Sequence, residues 1–236
     1  MLSTLYNGRV DLGVGRAAGG DMRIAKILAN DGIPKFGRFP EQVRDLQQIL
    51  KTPDYDPLIV TRPDTPTPIW MLGTSTSSAS LAAQFGLPYN FALFINGCDP
   101  SSAYDLYRNN FQPSEQLAFP YASIAVNIFC ADTEEEAIQL SKSRSLLFLR
   151  LQKEGKYSKL PYIKEAEKYD YTEKDLAFIE RSNRHNIIGN PEQVKAQLLA
   201  MQKRYKLDEI MAVTPTYDFK PRKHSVKLIS EVMKLS

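Results

Sequence analysis

Candidate strands and candidate helices alternate along this chain of 236 residues. Apolar runs with strand character are followed by segments with helical spacing, and this happens five times. The candidate strands are 9–15, 69–72, 89–95, 122–131 and 207–215, and the candidate helices are 39–50, 78–85, 100–111, 132–152, 190–205 and 223–235. Such alternation predicts an α/β fold with a parallel sheet, either an open doubly wound sheet or a barrel.

Signals at the helix ends support these assignments. Asp132 or Thr133 can cap a helix whose first turn is acidic, which the helix dipole favours. Pro191 suits the first position of a helix, and Gly86 suits the end of the Ala-rich helix. The stretch 153–186 is charged and aromatic without a clear period, so we expect an irregular surface excursion with short helices.

The first residues influence the choice between sheet and barrel. Met1 begins inside a segment with helical character (1–6), without a cap, and the turn Asn7-Gly8 leads into the first strand. This favours a barrel whose first units are absent. Because there is no internal repeat and no low-complexity linker, residues 1–236 are predicted to form a single domain.

Composition narrows the class of partner and the compartment. The 30 basic and 27 acidic side chains leave a net charge of +3, and no basic cluster is interleaved with aromatic residues, so nucleic acid is not an expected partner. No apolar run approaches the roughly 20 residues that span a bilayer, so no membrane contact is expected. Cys98 and Cys130 show no metal or redox spacing, which favours a reducing cytoplasm.

The junction between the second candidate strand and its helix is rich in hydroxyl groups. Six of the seven residues from Thr74 to Ser80 are Ser or Thr. In βα proteins, ligands bind at the carboxyl ends of the strands, and a helix start there offers unpaired N–H groups to an anion. Thr74, Ser75 and Ser78 are well placed to add donors to a phosphate. Ordinary helix capping is the alternative, although one cap needs only one hydroxyl.

The end of the first candidate strand supplies a positive charge. Arg16 stands among glycines in the segment 11–21, where its side chain could reach a phosphate shared with the next junction. The segment has neither a P-loop nor the glycine spacing of a dinucleotide fingerprint. A surface salt bridge or a helix-end contact is the alternative role for Arg16.

These segments resemble the bacterial luciferase-like monooxygenases. The stretch NGRVDLGVGRAAGGD (7–21) is similar to the signature of barrel strand four in that family, and PIWMLGTSTSSASLAAQFGLPYNFA (68–92) is similar to that of strand five. YRNNFQPSE (107–115), NIFCADTEEEA (127–137) and IIGNPEQV (187–194) follow in the order of the family. The resemblance covers nearly the whole chain.

The resemblance implies a (β/α)8 TIM-type barrel of which this chain holds roughly the last five βα units, lacking the first three. It implies that Arg16, Thr74, Ser75 and Ser78 bind the phosphate of FMN, with the deazaflavin F420 as the alternative cofactor. The implied activity is oxidation of a small organic substrate with reduced FMN and O₂. The implied partners are that substrate, a flavin reductase and a second copy in a homodimer.

Two further hypotheses stay open. The chain could be a non-catalytic flavin-binding or remnant protein from a truncated gene, or a parallel-sheet transferase that binds another phosphorylated ligand. No catalytic acid or base stands out. His185 and His224 lack companions at metal spacing, so surface or capping roles are expected. Tyr217 and Asp218 follow the last strand and are weaker candidates for a ligand contact.

Overall fold

The computed structural model describes residues 2–6, 8–16, 22–29, 35–51, 67–155 and 158–234. Predictions that involve Met1, Asn7 and residues 17–21 lie outside this part of the chain. The strands are β1 (Leu12–Val14), β2 (Ile69–Gly73), β3 (Tyr89–Ala92), β4 (Ala122–Cys130), β5 (Ile187–Gly189) and β6 (Glu209–Val213). The helices are α1 (Leu2–Leu5), α2 (Met22–Leu28), α3 (Phe39–Lys51), α4 (Thr76–Phe85), α5 (Leu93–Asn96), α6 (Ser101–Asn109), α7 (Glu134–Glu154), α8 (Ile163–Lys168), α9 (Glu173–Asn183), α10 (Pro191–Tyr205) and α11 (Phe219–Met233).

The structure confirms the predicted α/β class with parallel pairing of strands. Several details differ from the sequence prediction. Helix α4 begins at Thr76, two residues before the predicted start, and β3 ends at Ala92, where the short helix α5 replaces the last predicted strand residues. Helix α2 and strand β5 were not predicted.

The described chain falls into two compact units. The first comprises Met1–Phe91 and Pro100–Ser123, and the second comprises Ala92–Asp99 and Ile124–Ser236. The chain therefore changes unit three times: within β3 after Phe91, after Asp99, and within β4 after Ser123.

In the first unit, β1, β2 and β3 run parallel, with Leu12 opposite Ile69 and Met71 opposite Tyr89. The face of α4 that is buried consists of three alanines, Ala79, Ala82 and Ala83. Such small side chains let a neighbouring helix approach closely, and α6 packs here. Tyr104 and Tyr107 of α6 are buried.

All nine residues of β4 are buried, and those from Ile124 onward belong to the second unit. Strand β5 pairs parallel with it, and Ile187 lies opposite Ile128. The predicted cap of α7 is Thr133, whose Oγ1 accepts a hydrogen bond from the Glu136 amide at 3.2 Å. The predicted start of α10 is confirmed, with Asn190 as its cap and Pro191 in its first turn.

The segment 153–186, predicted to be an irregular excursion with short helices, contains α8 and α9. Both pack against α7. Leu146, Leu149 and Ala166 form a small buried cluster there, with Tyr169, Tyr171, Phe178 and Ile179 packed against it. A capping box between Thr172 and Asp175 starts α9, and the Asp175 carboxylate accepts a hydrogen bond from Lys153 Nζ at 2.7 Å.

Candidate functional site

Two strand-to-helix junctions of the first unit lie at the same edge of its sheet. Strands β1 and β2 are adjacent and parallel, and Val14 is opposite Met71. Their carboxyl ends therefore point the same way. Arg16 follows the end of β1 by two residues, and the hydroxyl run begins at Thr74, directly after β2.

The Arg16 side chain reaches the start of α4. Its Nη1 donates to the hydroxyl of Ser77 at 3.5 Å, and both residues are exposed. Within the described residues, no carboxylate pairs with Arg16. Ser77 was not singled out from the sequence, because the predicted helix began at residue 78. The actual start at Thr76 makes Ser77 the second residue of the first turn.

A capping box closes the start of α4. Ser75 is the N-cap, and its Oγ accepts from the Ser78 amide at 3.4 Å, while Ser78 Oγ accepts from the Ser75 amide at 3.4 Å. The Ser78 hydroxyl also lies 2.8 Å from the Ser75 carbonyl and donates to it. The amides of Thr76 and Ser77 have no acceptor within the helix, as is usual for a first turn.

Gly73 allows this compact arrangement. A Cβ atom at residue 73 would lie 2.1 Å from Ser78 Oγ and 2.3 Å from Ser78 Cβ. Such distances are far below van der Waals contact, so a side chain here would displace Ser78 or the helix start. We call Arg16 together with residues 74–78 the anion cradle.

The electrostatics of the anion cradle favour a negatively charged ligand. The N-terminus of α4 carries a partial positive charge of about +0.5, and the nearby guanidinium adds a full one. Capping alone accounts for the roles of Ser75 and Ser78. It does not account for an arginine beside Ser77, since a cation is unfavourable at a helix N-terminus that holds no anion.

The structure thus brings together all four residues predicted to bind phosphate. Arg16, Ser75 and the half-buried Thr74 and Ser78 lie in or beside the first turn of α4. The hydroxyl of Ser78 donates to the Ser75 carbonyl inside the cap, and the Ser75 hydroxyl lies 3.5 Å from Ser78 Oγ. Their role as phosphate ligands stays a prediction.

Tyr89 lies on the core side of the anion cradle. This residue is fully buried, and its hydroxyl lies 3.2 Å from both the Ser75 carbonyl and Ser78 Oγ. Burial raises the pKa of Tyr89 from 10.0 to about 12, although its hydrogen bonds with Ser78 and Ser75 act in the opposite direction. The phenol is therefore protonated, and able to donate, throughout the physiological pH range.

The remaining sequence candidates belong to the second unit. His224 Nε2 lies 2.9 Å from Asp132 Oδ2 in an exposed pair. Burial lowers the pKa of His185. The ring of Tyr217 stacks on that of Tyr162, with the centroids 3.9 Å apart. Across the described ranges, no group of three or more His, Cys, Asp or Glu residues could hold a metal ion.

A second arginine, Arg144 on α7, is buried in the second unit with 3% exposure. Its Nη1 donates to Asn183 at 3.1 Å and to Ser182 at 3.4 Å, and its Nη2 donates to the Phe94 carbonyl at 3.2 Å. With the Asn127 amide turned so that its oxygen faces the guanidinium, that oxygen accepts from Nε at 2.9 Å. Burial lowers the pKa of Arg144 to about 10.

Sequence comparison identifies the family. Residues 1–205 match the family described as luciferase-like monooxygenase. The chain belongs to this family, which confirms the resemblance drawn from its motifs. None of the helices in the described segments is long and apolar enough to cross a bilayer.

Relatives with known sequences match almost the whole chain. An uncharacterized protein of Bacillus subtilis, YceB, is 36% identical over 242 residues, covering 98% of this chain and 71% of its own length. The luciferase-like monooxygenase of Escherichia coli K12 is 33% identical over 233 residues, covering 98% of this chain and 69% of its own length.

Solved structures share the fold. The structure of apo-MsnO8 matches with a TM-score of 0.88 and 29% identity, covering 100% of this chain and 71% of MsnO8. A type II Baeyer–Villiger monooxygenase from Pseudomonas putida, solved with FMN, has a TM-score of 0.63 at 18% identity over 98% of this chain and 71% of its own. An F420-dependent secondary alcohol dehydrogenase has a TM-score of 0.64 at 13% identity over 98% of this chain and 72% of its own. At these identities the last two show the fold alone.

Proposed function

We propose that this protein is a flavin-dependent monooxygenase that oxidises a small organic substrate with reduced FMN and O₂. The observation that carries the proposal is the contact between Arg16 and Ser77 at the start of α4, with Nη1 and Oγ 3.5 Å apart. Family membership supports the monooxygenase reaction, and the anion cradle offers a binding site for the cofactor phosphate.

The charge of the anion cradle suits FMN. One guanidinium and one helix N-terminus together amount to about +1.5 charges. A phosphate monoester such as that of FMN carries roughly −1.5 to −2 charges at neutral pH. F420 carries its phosphate as a diester with a single negative charge, so it would leave part of this positive charge unmatched. F420 is therefore the second choice of cofactor.

The residues of the anion cradle would contribute to phosphate binding in different ways. The exposed Arg16 guanidinium would hold phosphate oxygens by charge-assisted bonds. The first-turn amides and the hydroxyls of Thr74, Ser75 and Ser77 would add neutral donors, and Ser78 would hold the turn. When bound, the flavin supplies the redox chemistry toward O₂ and the substrate, while the protein orients it and shields it from water.

The fold enters the proposal as well. We infer that the described strands belong to a (β/α)8 barrel, as roughly its last five βα units, and that residues 1–236 act as a single domain. A flavin reductase would deliver reduced FMN, and a homodimer is the expected assembly. A non-catalytic flavin-binding protein would share the anion cradle and would differ only in lacking turnover.

The test compares flavins that differ in the phosphate. Quenching of flavin fluorescence by the purified protein is measured for FMN and for riboflavin, which lacks the phosphate, and F420 is titrated alongside. We expect FMN to bind about 10- to 100-fold more tightly than riboflavin, because charge-assisted bonds to the phosphate are lost in riboflavin. Equal affinities, or no binding of either, would overturn the proposal.

Turnover is measured separately. Oxygen consumption is followed with the FMN-loaded protein, a flavin reductase, NADH and a panel of small organic substrates. Consumption coupled to an oxygenated product supports the monooxygenase. Tight FMN binding without any product across the panel would support the non-catalytic alternative.

A further inference from the structure

Tyr89 connects the sheet to the helix start that forms the anion cradle. It is the first residue of β3, and its hydroxyl donates to the Ser75 carbonyl at 3.2 Å. The same hydroxyl lies 3.2 Å from Ser78 Oγ. Ser75 and Ser78 are the two halves of the capping box, so a single phenol contacts both.

The ring of Tyr89 has little freedom to move. It is fully buried, and its centroid lies 5.6 Å from that of Tyr107, 6.0 Å from that of Tyr104 and 6.4 Å from that of Phe91. Close packing of this kind holds a side chain in one rotamer. The position of the hydroxyl is therefore set by the sheet and the aromatic cluster, and not by the helix start that it contacts.

The Tyr89 hydroxyl is not needed merely to satisfy the Ser75 carbonyl. That carbonyl also lies 2.8 Å from Ser78 Oγ and accepts from the Ala79 amide at 3.2 Å. A carbonyl oxygen has two lone pairs, so these donors already suffice. The contribution of the phenol is thus a fixed anchor for an otherwise exposed turn.

We propose that Tyr89 is a positioning residue of the anion cradle, which fixes Ser75 and thereby directs the amides of Thr76 and Ser77 toward the bound phosphate. This inference rests on the proposed function. It concerns how the phosphate is held and assigns no contact between Tyr89 and the cofactor.

The test compares two variants that each remove one buried hydroxyl from the same aromatic cluster. Tyr89→Phe removes the anchor. Tyr107→Phe is the matched control, because the Tyr107 hydroxyl donates to the Leu87 carbonyl at 2.8 Å, beyond the other end of α4. Dissociation constants for FMN and riboflavin are measured by fluorescence quenching, and hydrogen exchange is measured at the amides of Ser78 and Ala79.

We expect Tyr89→Phe to weaken FMN binding about 3- to 10-fold, the loss typical of a single hydrogen bond, while riboflavin binding stays within a factor of about two. Exchange at the Ser78 and Ala79 amides should become faster, because the first turn of α4 opens more often. Tyr107→Phe should change neither the FMN-to-riboflavin ratio nor the exchange at these two amides.

Other outcomes overturn the inference. An unchanged FMN-to-riboflavin ratio in Tyr89→Phe, or an equal loss in both variants, would show that the phenol only packs. A wild-type protein that binds neither flavin would overturn the proposed function itself. In that case the exchange measurement still decides whether Tyr89 anchors the start of α4.

Discussion

Arg16 in the first unit and Arg144 in the second differ in the surroundings of their guanidinium groups. Arg16 is exposed, and its contact with Ser77 is a long hydrogen bond of 3.5 Å. Arg144 is buried, and neutral oxygens surround its nitrogens at 2.9 to 3.4 Å. Within the described residues, neither arginine forms a salt bridge with a carboxylate.

This difference separates a structural arginine from one suited to bind a ligand. A guanidinium has five N–H donors. The acceptors around Arg144 leave its nitrogens little capacity for anything else, so its charge serves to join β4, α5, α7 and α9. Arg16 donates to Ser77, and no other acceptor for its guanidinium lies among the described residues. Exposure alone does not make an arginine a binding residue, but exposure beside a helix N-terminus does favour an anion there.

The largest expected effect concerns Arg144. Arg144→Ala should lower the free energy of unfolding by about 3–5 kcal/mol, because it leaves a cavity and buried acceptors without donors. Chemical denaturation with wild type and variant side by side measures this loss. Arg150→Ala is the control on the same helix, since Arg150 forms a partly exposed ion pair with Glu165 at 2.7 Å. The control should lose no more than about 1 kcal/mol; losses of similar size in both would contradict a structural role specific to Arg144.

The next effect concerns Arg16. Arg16→Ala should weaken FMN binding about 10- to 100-fold, because a charge-assisted bond is worth about 1.5–3 kcal/mol. Riboflavin binding and the melting temperature should stay unchanged, since the side chain is exposed. Fluorescence titration of both flavins measures the effect. Arg9→Ala, an exposed arginine before the same strand, serves as the control, and equal behaviour of the two variants would remove Arg16 from the site.

A third prediction concerns Gly73. Gly73→Ala should cost about 1–3 kcal/mol of stability and weaken FMN binding as well, because the new methyl group overlaps Ser78. Gly37→Ala is the control, since a Cβ at residue 37 would meet no atom within 4 Å. Thermal melts and FMN titrations are compared for the two variants. A Gly73→Ala protein as stable as the control would show that the start of α4 adapts easily.

The smallest effect is a pH dependence that Tyr89 imposes on the stability of the first unit. The pKa of Tyr89 is about 12 in the folded protein and 10.0 in a model phenol. Below pH 10 both states are protonated. At higher pH only the unfolded chain loses the proton, so the free energy of unfolding falls by about 1.4 kcal/mol per pH unit up to the folded pKa. Denaturation at pH 9.5 to 11 should show a shallower decline for Tyr89→Phe, and identical slopes would contradict the shift.

Much of the fold could be predicted because local signals agreed with one another. Apolar periodicity, the cap at Thr133 and the proline at residue 191 gave helices within a few residues of their positions. Strand β5 was missed because three residues, Ile187–Gly189, are too few to show a period within a charged stretch. The end of β3 was misplaced because the apolar residues of α5 have no helical spacing over a single turn.

The candidate site was predictable in part for similar reasons. A hydroxyl run follows one strand, and an arginine follows the neighbouring strand. Because these strands are parallel, both features are expected at the same edge of the sheet. Ser77 was missed because five hydroxyl residues in a row, 74–78, do not reveal which one begins the helix. Arg144 was missed because it stands between Ser143 and Ser145, a polar triplet that suggests a surface. Only tertiary packing shows that this triplet is buried.

Under the proposed function, the self-contained cap of α4 affects how the cofactor would bind and leave. Ser75 and Ser78 bond to each other and require no ligand to complete the turn. Arrival of an anion therefore demands no local folding and incurs little loss of chain entropy. Departure would leave this turn intact as well, so the start of α4 would need no refolding between the binding of one cofactor molecule and the next.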